Sequence, residues 1–231
     1  MQHRTGALAR LLVVGGILVI AGTVSRASTI DCTTVTDFGG LLGMSSDGCL
    51  NQDKIYSGFS TGVNGGSAIP SNWTVSIGYT TLGDGTDIHT ITINAPTGSG
   101  GLGQGTYTLD YQIAIDPSSV TYASNWMTQV QVSANFSDTG GSPNNTDTKL
   151  VLDSNGAQLG SVTSVNGATA NLNVFEKVLD IQETISVDAS GFLQSFTDTF
   201  VETEVPEPAT MALMGCGLLA LGTLRRHRKR A

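Results

Sequence analysis

The segment Thr106 to Ile115 limits the fold more than any other. Tyr107, Leu109, Tyr111, Ile113 and Ile115 alternate with Thr106, Thr108, Asp110, Gln112 and Ala114. A period of two collects all five large apolar side chains on one face of a strand, which a helix of 3.6 residues per turn cannot do. The same pattern recurs in Trp73, Val75, Ile77 and Tyr79, then in His89, Ile91 and Ile93, with Gly83-Asp84-Gly85-Thr86 between them as a hairpin turn. It returns in Thr128, Val130, Val132, Ala134 and Phe136, and Ile181 to Val187 reads as a further strand. In the closing strand Phe192, Phe196 and Phe200 are expected on one side. Ala168 to Leu179 fits neither period, and a strand with a bulge near Glu176 reconciles the change of face. Thr36 to Met44 predicts a short helix capped by Thr36 or Asp37, and Ser137 to Asp147 a loop. Short strands separated by Gly, Asn and Asp turns imply an all-β fold. The expected architecture is an antiparallel β-sandwich of jelly-roll or immunoglobulin-like kind, in one domain.

The ends differ from this body. Arg4 and Arg10, the apolar run Leu11 to Ala21 and the small-x-small site Ser25-Arg26-Ala27 make residues 1–27 a secretory signal peptide, a helix in the membrane before cleavage. Residues 28–204 are then the exported domain. Between Asp31 and Glu207 lie 19 acidic residues against Lys54, Lys149 and Lys177, a net −16. Such a charge repels nucleic acid and anionic lipid, so neither is an expected partner of the body. Cys32 and Cys49 are the only cysteines of the body. In an oxidising compartment they are expected to close a short disulfide loop, worth about 3 kcal/mol in the chain-entropy model, and a free catalytic thiol is the rival reading.

Residues 205–231 have three parts. Val205-Pro206-Glu207-Pro208 is an extended junction, because the two prolines fix φ and withhold N–H groups. Ala209 to Leu224 is an uncharged, helix-prone run of roughly 24 Å at 1.5 Å per residue. Arg225, Arg226, Arg228, Lys229 and Arg230 follow, a basic cluster that stops transfer and stays cytoplasmic. This order of motif, hydrophobic helix and arginine cluster resembles the PEP-CTERM sorting signal, which bacterial exosortases recognise. The resemblance implies an exosortase and the secretion machinery as partners, transient residence in the inner membrane, and a final place at the cell surface or in the extracellular matrix. It also implies association with exopolysaccharide or biofilm. The run from Cys32 through Gly48-Cys49, Asp53-Lys54, Tyr56 and Phe59 is similar to the opening of a body found in many such proteins, with no activity attached.

Motifs that carry chemistry are sparse. Gly98-Ser99-Gly100-Gly101-Leu102-Gly103 satisfies the dinucleotide pattern in letters, but it opens the strongest strand where that site requires a helix. His89 is the one histidine left after processing, on the apolar side of its strand, and reads as structural; one histidine and a paired cysteine couple exclude a usual zinc set. Asp84 with Asp87, or Glu176 with Glu183, are nominal carboxylate pairs for glycoside chemistry, with nothing in the spacing to select them. Most acids read as turn residues and solvating surface. Asp84, Asp87, Asp138, Asp147 and Asp153 sit in oxygen-rich loops and are the residues from which a Ca²⁺ site would be drawn; no other cofactor is expected. Trp73, Tyr79, Tyr107 and Tyr111 fall on apolar faces, which leaves Tyr122 and Trp126 as the candidate platform for stacking on a sugar. The expectation is therefore a non-enzymatic exported surface or matrix protein. A carbohydrate-binding module, possible with calcium, is the alternative, and a glycoside-active enzyme is the third class.

Overall fold

In a computed structural model of the chain, residues 30–44, 46–138 and 144–205 are described. The signal segment, Pro206 to Pro208, the C-terminal hydrophobic run and the basic cluster lie outside them. Among the described residues no helix is long and apolar enough to cross a membrane.

The chain begins with β1 (Ile30–Asp31), a 3-10 turn (Cys32–Thr34) and α1 (Phe38–Leu42). Asp37 caps α1, its carboxylate accepting from Gly40 N at 2.8 Å, and Phe38 and Leu41 turn into the core. β2 (Cys49–Asn51), β3 (Lys54–Thr61), β4 (Thr74–Thr81), β5 (Asp87–Asn94) and β6 (Gly105–Ile115) follow. The second half holds β7 (Asn125–Asp138), β8 (Thr146–Leu152), β9 (Gln158–Val165), β10 (Ala170–Glu176), β11 (Val178–Val187) and β12 (Gly191–Glu204). Cys32 and Cys49 are joined by a disulfide, which ties the 3-10 turn to β2.

Two sheets result, one ordered β1-β2-β3-β6-β11-β8-β9 and the other β10-β7-β12-β5-β4. Every pairing is antiparallel except that of β1 with β2. Their apolar faces meet: Tyr111 of β6 sets its ring edge-on to Phe200 of β12, with centroids 6.3 Å apart. Tyr111, Leu109, Ile113 and Ile115 are buried, as the alternation requires, and so are Val130, Val132 and Ala134 on β7. Within the glycine-rich run, close packing requires a glycine at one position. Gly101 has φ +82°, and a Cβ there would lie 2.3 Å from the backbone oxygen of Leu193 on β12.

Four expectations change. Ala168 to Leu179 is two strands: β10 belongs to one sheet and β11 to the other, and the chain changes layers at Lys177. The register of β10 on β7 also shifts between Asn173 and Glu176, so the irregularity is real and the layer change accounts for the rest. Phe192 does not share the face of Phe196 and Phe200, because a bulge between Leu193 and Ser195 turns Leu193 inward in its place. Tyr79 is half exposed, since β4 is the outer strand of its sheet and its last residues are uncovered. Finally, Thr146 and Asp147 belong to β8 and not to the preceding loop, with Asp147 fully buried.

Candidate functional site

Charged residues share the apolar faces of five strands. On β8, Asp147 and Lys149 point inward with Val151. On β11, Glu183 stands between Ile181 and Ile185. On β12, Asp198 lies between Phe196 and Phe200, with Glu202 two residues further. Asp87 and His89 share the inner face of β5 with Ile91 and Ile93, and Lys54 shares that of β3 with Tyr56. Period two therefore puts two lysines, one histidine and several carboxyl groups between the sheets, where an isolated ion would cost many kcal/mol.

They form two clusters. In the first, the Lys149 ammonium lies 2.5 Å from Asp198 Oδ1 and 3.5 Å from Glu183 Oε2. Glu183 and Lys149 are direct cross-strand partners, while Asp198 reaches the pair from the opposite sheet. Tyr111 donates its hydroxyl to Asp198 Oδ2, and its ring centre is 5.9 Å from Lys149 Nζ. Burial pushes Asp147 up to about 7 against the pull of Lys149. Burial also drives Glu183 well above its ordinary value, and Asp147 and Asp198 add to it. Burial would lower Lys149, but Asp198, Glu183 and Asp147 overcome it and hold the ammonium above its ordinary value.

The second cluster surrounds Lys54. Its ammonium contacts Asp53 Oδ1 at 2.6 Å and Glu202 Oε2. Asn125 donates to the other oxygen of Glu202, and Gln52 donates to Asp87 Oδ2 at 3.0 Å. Here burial wins and lowers Lys54, against the attraction of Asp53 and Asp87. His89 Nε2 is 3.7 Å from Asp53 Oδ1, and neither ring nitrogen has a hydrogen-bond partner. Burial, with Lys54 adding, drops His89 to about 3, so its imidazole is neutral. Donor atoms of Asp53, His89 and Glu202 lie within 4.8 Å of one another, a spacing that suits a metal ion. Lys54 already supplies the positive charge between the two carboxylates, so a metal would first have to displace it.

The residues singled out in the sequence fall elsewhere. Tyr122 and Trp126 do come together: Lys177 Nζ lies 4.2 Å and 4.6 Å from their ring centres and donates to Ala123 O at 3.1 Å. Trp126 is also stacked on Phe175 at 4.4 Å, so part of the proposed sugar-binding face is already engaged by the protein. Phe175, half exposed, was not among the candidates. The calcium candidates do not form one group. Asp84 and Asp153 use their oxygens to close their own turns, at Thr86 N and at Asn155 N and Ala157 N, while Asp87 and Asp147 are buried. Glu176 stands part-exposed on β10 of one sheet, whereas Glu183 is buried on β11 of the other. The view of the acids as turn and surface groups fails for Asp53, Asp87, Asp147, Glu183, Asp198 and Glu202, all buried. Each lies on the apolar parity of its strand or beside a buried lysine, which is the signal that finds them.

Val205, first residue of the extended junction, follows β12 and donates its N–H to Ser124 O at 2.9 Å. Residues 204–229 match the family described as the PEP-CTERM protein-sorting motif. No curated protein matches the chain. Among solved structures, the arabinose-bound MgGH51 α-L-arabinofuranosidase is 12% identical over 62% of this chain and 22% of its own, at TM-score 0.25. This chain thus spans about a fifth of that enzyme's length. The CBM22-1 xylan-binding domain of Paenibacillus barcinonensis Xyn10C is 12% identical over 78% of this chain and 99% of its own, at TM-score 0.24. Neither likeness is close enough to carry an argument about fold or ligand.

Proposed function

We propose, with the PEP-CTERM motif of residues 204–229 as premise, that this chain is a structural protein of the bacterial cell surface or extracellular matrix, delivered by an exosortase. The motif implies export and a membrane-anchored transit before release. The body then acts without enzymatic turnover, as a durable two-layered β-sandwich within exopolysaccharide. The observation that carries this reading is the position of the motif: it starts at Glu204, the last residue of β12, so the sorting tag is joined to the folded body with no intervening domain. The placement of the conspicuous charged groups supports a passive body as well. They are between the sheets, where no polymer reaches them. Replacing Arg225, Arg226, Arg228, Lys229 and Arg230 with neutral residues is expected to lower the processed fraction and the surface yield, read by immunoblot of cell fractions. Unchanged size and yield would defeat the reading.

A glycan-binding role is the second reading, and one feature favours it. The outer face of the larger sheet holds a hollow of about 510 Å³ lined by Ser57, Asp110, Gln112, Asp180 and Gln182. Gln112 donates to Asp180 across it at 2.7 Å, which presents a row of amide and carboxylate groups suited to sugar hydroxyls. On this reading glycan-array binding is lost in Asp110→Ala and persists in Trp126→Ala. The converse result would move the site to the Tyr122 and Trp126 platform, and absence of binding would leave the structural role.

A further inference from the structure

We infer that Lys149 and Asp198 become joined by an intramolecular amide between Nζ and Cγ, made by the chain itself with Glu183 as the acid–base group. The starting observation is a buried amine set directly against a buried carboxylate. Lys149 Nζ and Asp198 Oδ1 are 2.5 Å apart. Neither atom makes a hydrogen bond of acceptable geometry. Both side chains are at most 1% exposed. Glu183, also buried, is 3.5 Å from the same nitrogen. Asp198 Oδ2 accepts from the Tyr111 hydroxyl. The site therefore holds a nucleophile, an electrophile, a proton carrier and an oxyanion donor, away from water.

In water an amine and a carboxylic acid do not condense, because both ionise and the ions are well solvated. Between two sheets that solvation is gone. Moving the proton from Nζ to Oδ1 converts a desolvated ion pair into an amine and an acid, which a dry interior tolerates better. The amine lone pair then adds to Cγ, forming the N–C bond, and the charge that develops on Oδ2 is held by Tyr111. Glu183 hands its proton to the Oδ1 hydroxyl and takes one from the nitrogen, as the Cγ–Oδ1 bond breaks and water leaves. Oδ2 becomes the amide carbonyl oxygen and Glu183 ends as it began. No oxidant, reductant or outside reactant is needed. Fixed neighbours at this separation react as if at very high concentration, with effective molarities of about 10⁵–10⁸ M for well-oriented groups.

The product suits the fold. It exchanges a buried ion pair for a neutral amide and ties β8 of one sheet to β12 of the other. Lys54 differs: its ammonium already donates to Asp53 at 2.6 Å, and the neighbouring His89 is neutral and 3.7 Å from Asp53.

The test is peptide mapping of the purified full-length protein after unfolding, thiol reduction and digestion. The segments containing Lys149 and Asp198 are expected as one cross-linked species, lighter by one water than their sum, with loss of proteolytic cleavage at Lys149. Recovery of both as linear peptides at full mass overturns the inference, whatever is found at Lys54. In Glu183→Gln the two segments are expected to be linear while the far-UV circular dichroism spectrum is retained. Cross-linking at the unsubstituted level in that variant overturns the role of Glu183. Tyr111→Phe, which deletes one hydroxyl, is expected to leave a measurable uncross-linked fraction, and full cross-linking would remove Tyr111 from the mechanism. The unsubstituted digest decides the bond by itself, independently of how either variant folds.

Discussion

Lys149 and Lys54 are buried alike, and their surroundings push them in opposite directions. Around Lys149, Asp198, Glu183 and Asp147 together outweigh desolvation and hold the ammonium above its ordinary value. Around Lys54 desolvation outweighs Asp53 and Asp87, while a neutral histidine stands beside them with both nitrogens unpartnered. The first cluster has carboxyl groups to spare, with Glu183 driven well above its ordinary value, and the second has polar side chains from Asn125 and Gln52 to soften the cost. Burial of a lysine therefore does not fix its chemistry. The number and placement of the acids facing it do.

The comparison breaks most visibly if the cations are removed. Lys149→Met takes away the group that Asp147, Glu183 and Asp198 face, together with any bond to it, and is expected to cost about 3–5 kcal/mol or more in chemical denaturation. A loss below 1 kcal/mol would mean that water reaches the cluster.

The next largest effect is with pH. His89 is held near 3 in the folded protein against 6.5 when unfolded, so its contribution is complete above 6.5 and is lost as pH falls toward 3. At about 1.4 kcal/mol per pKa unit the swing is on the order of several kcal/mol. Asp147 has the opposite sign. Its folded value is raised to about 7 from 3.8, so its contribution is complete below 3.8 and is lost as pH rises through 7. His89→Phe is therefore expected to flatten the acid limb of the stability profile, and Asp147→Asn the limb between pH 4 and 7. Unchanged profiles in both variants would contradict these environments.

Smaller is Lys54→Met, expected to cost about 1–3 kcal/mol, because Asn125 and Gln52 still donate to the acids left behind. A loss equal to that of Lys149→Met would erase the distinction between the clusters. Smallest is Asp37→Ala, which touches neither cluster and removes the cap of α1, for about 1 kcal/mol by the same measurement. It sets the scale for a loss with no buried charge involved.

How much of this was legible in the chain depends on what period two can carry. It located the faces of β5 and β6 and of β7 from Val130 to Ala134, where apolar residues alternate without interruption, but not Thr128, because a bulge there turns Met127 inward instead; of the two cap candidates, Thr36 and Asp37, the helix uses Asp37. It misjudged Phe192, because one bulge at Leu193 and Ser195 flips every residue before it. It could not divide Ala168 to Leu179 between sheets, since a layer change leaves no pattern beyond a loss of phase. The buried clusters were missed for another reason. Composition assigns acids to the surface, whereas Ile181-Gln182-Glu183-Thr184-Ile185 and Phe196-Thr197-Asp198-Thr199-Phe200 place theirs on the apolar parity. Parity was the stronger guide. Convergence of β8, β11 and β12 on one nitrogen depends on strand order across two sheets, and no local pattern encodes that.

The most direct test of a dry ionic interior is a pH titration of the His89 imidazole by nuclear magnetic resonance in the intact protein, with its signals assigned through His89→Phe. The account predicts that His89 stays neutral through pH 5 and begins to charge only toward about 3, or as the protein unfolds. A reversible titration near 6.5 in the folded state would show a solvated imidazole and contradict it.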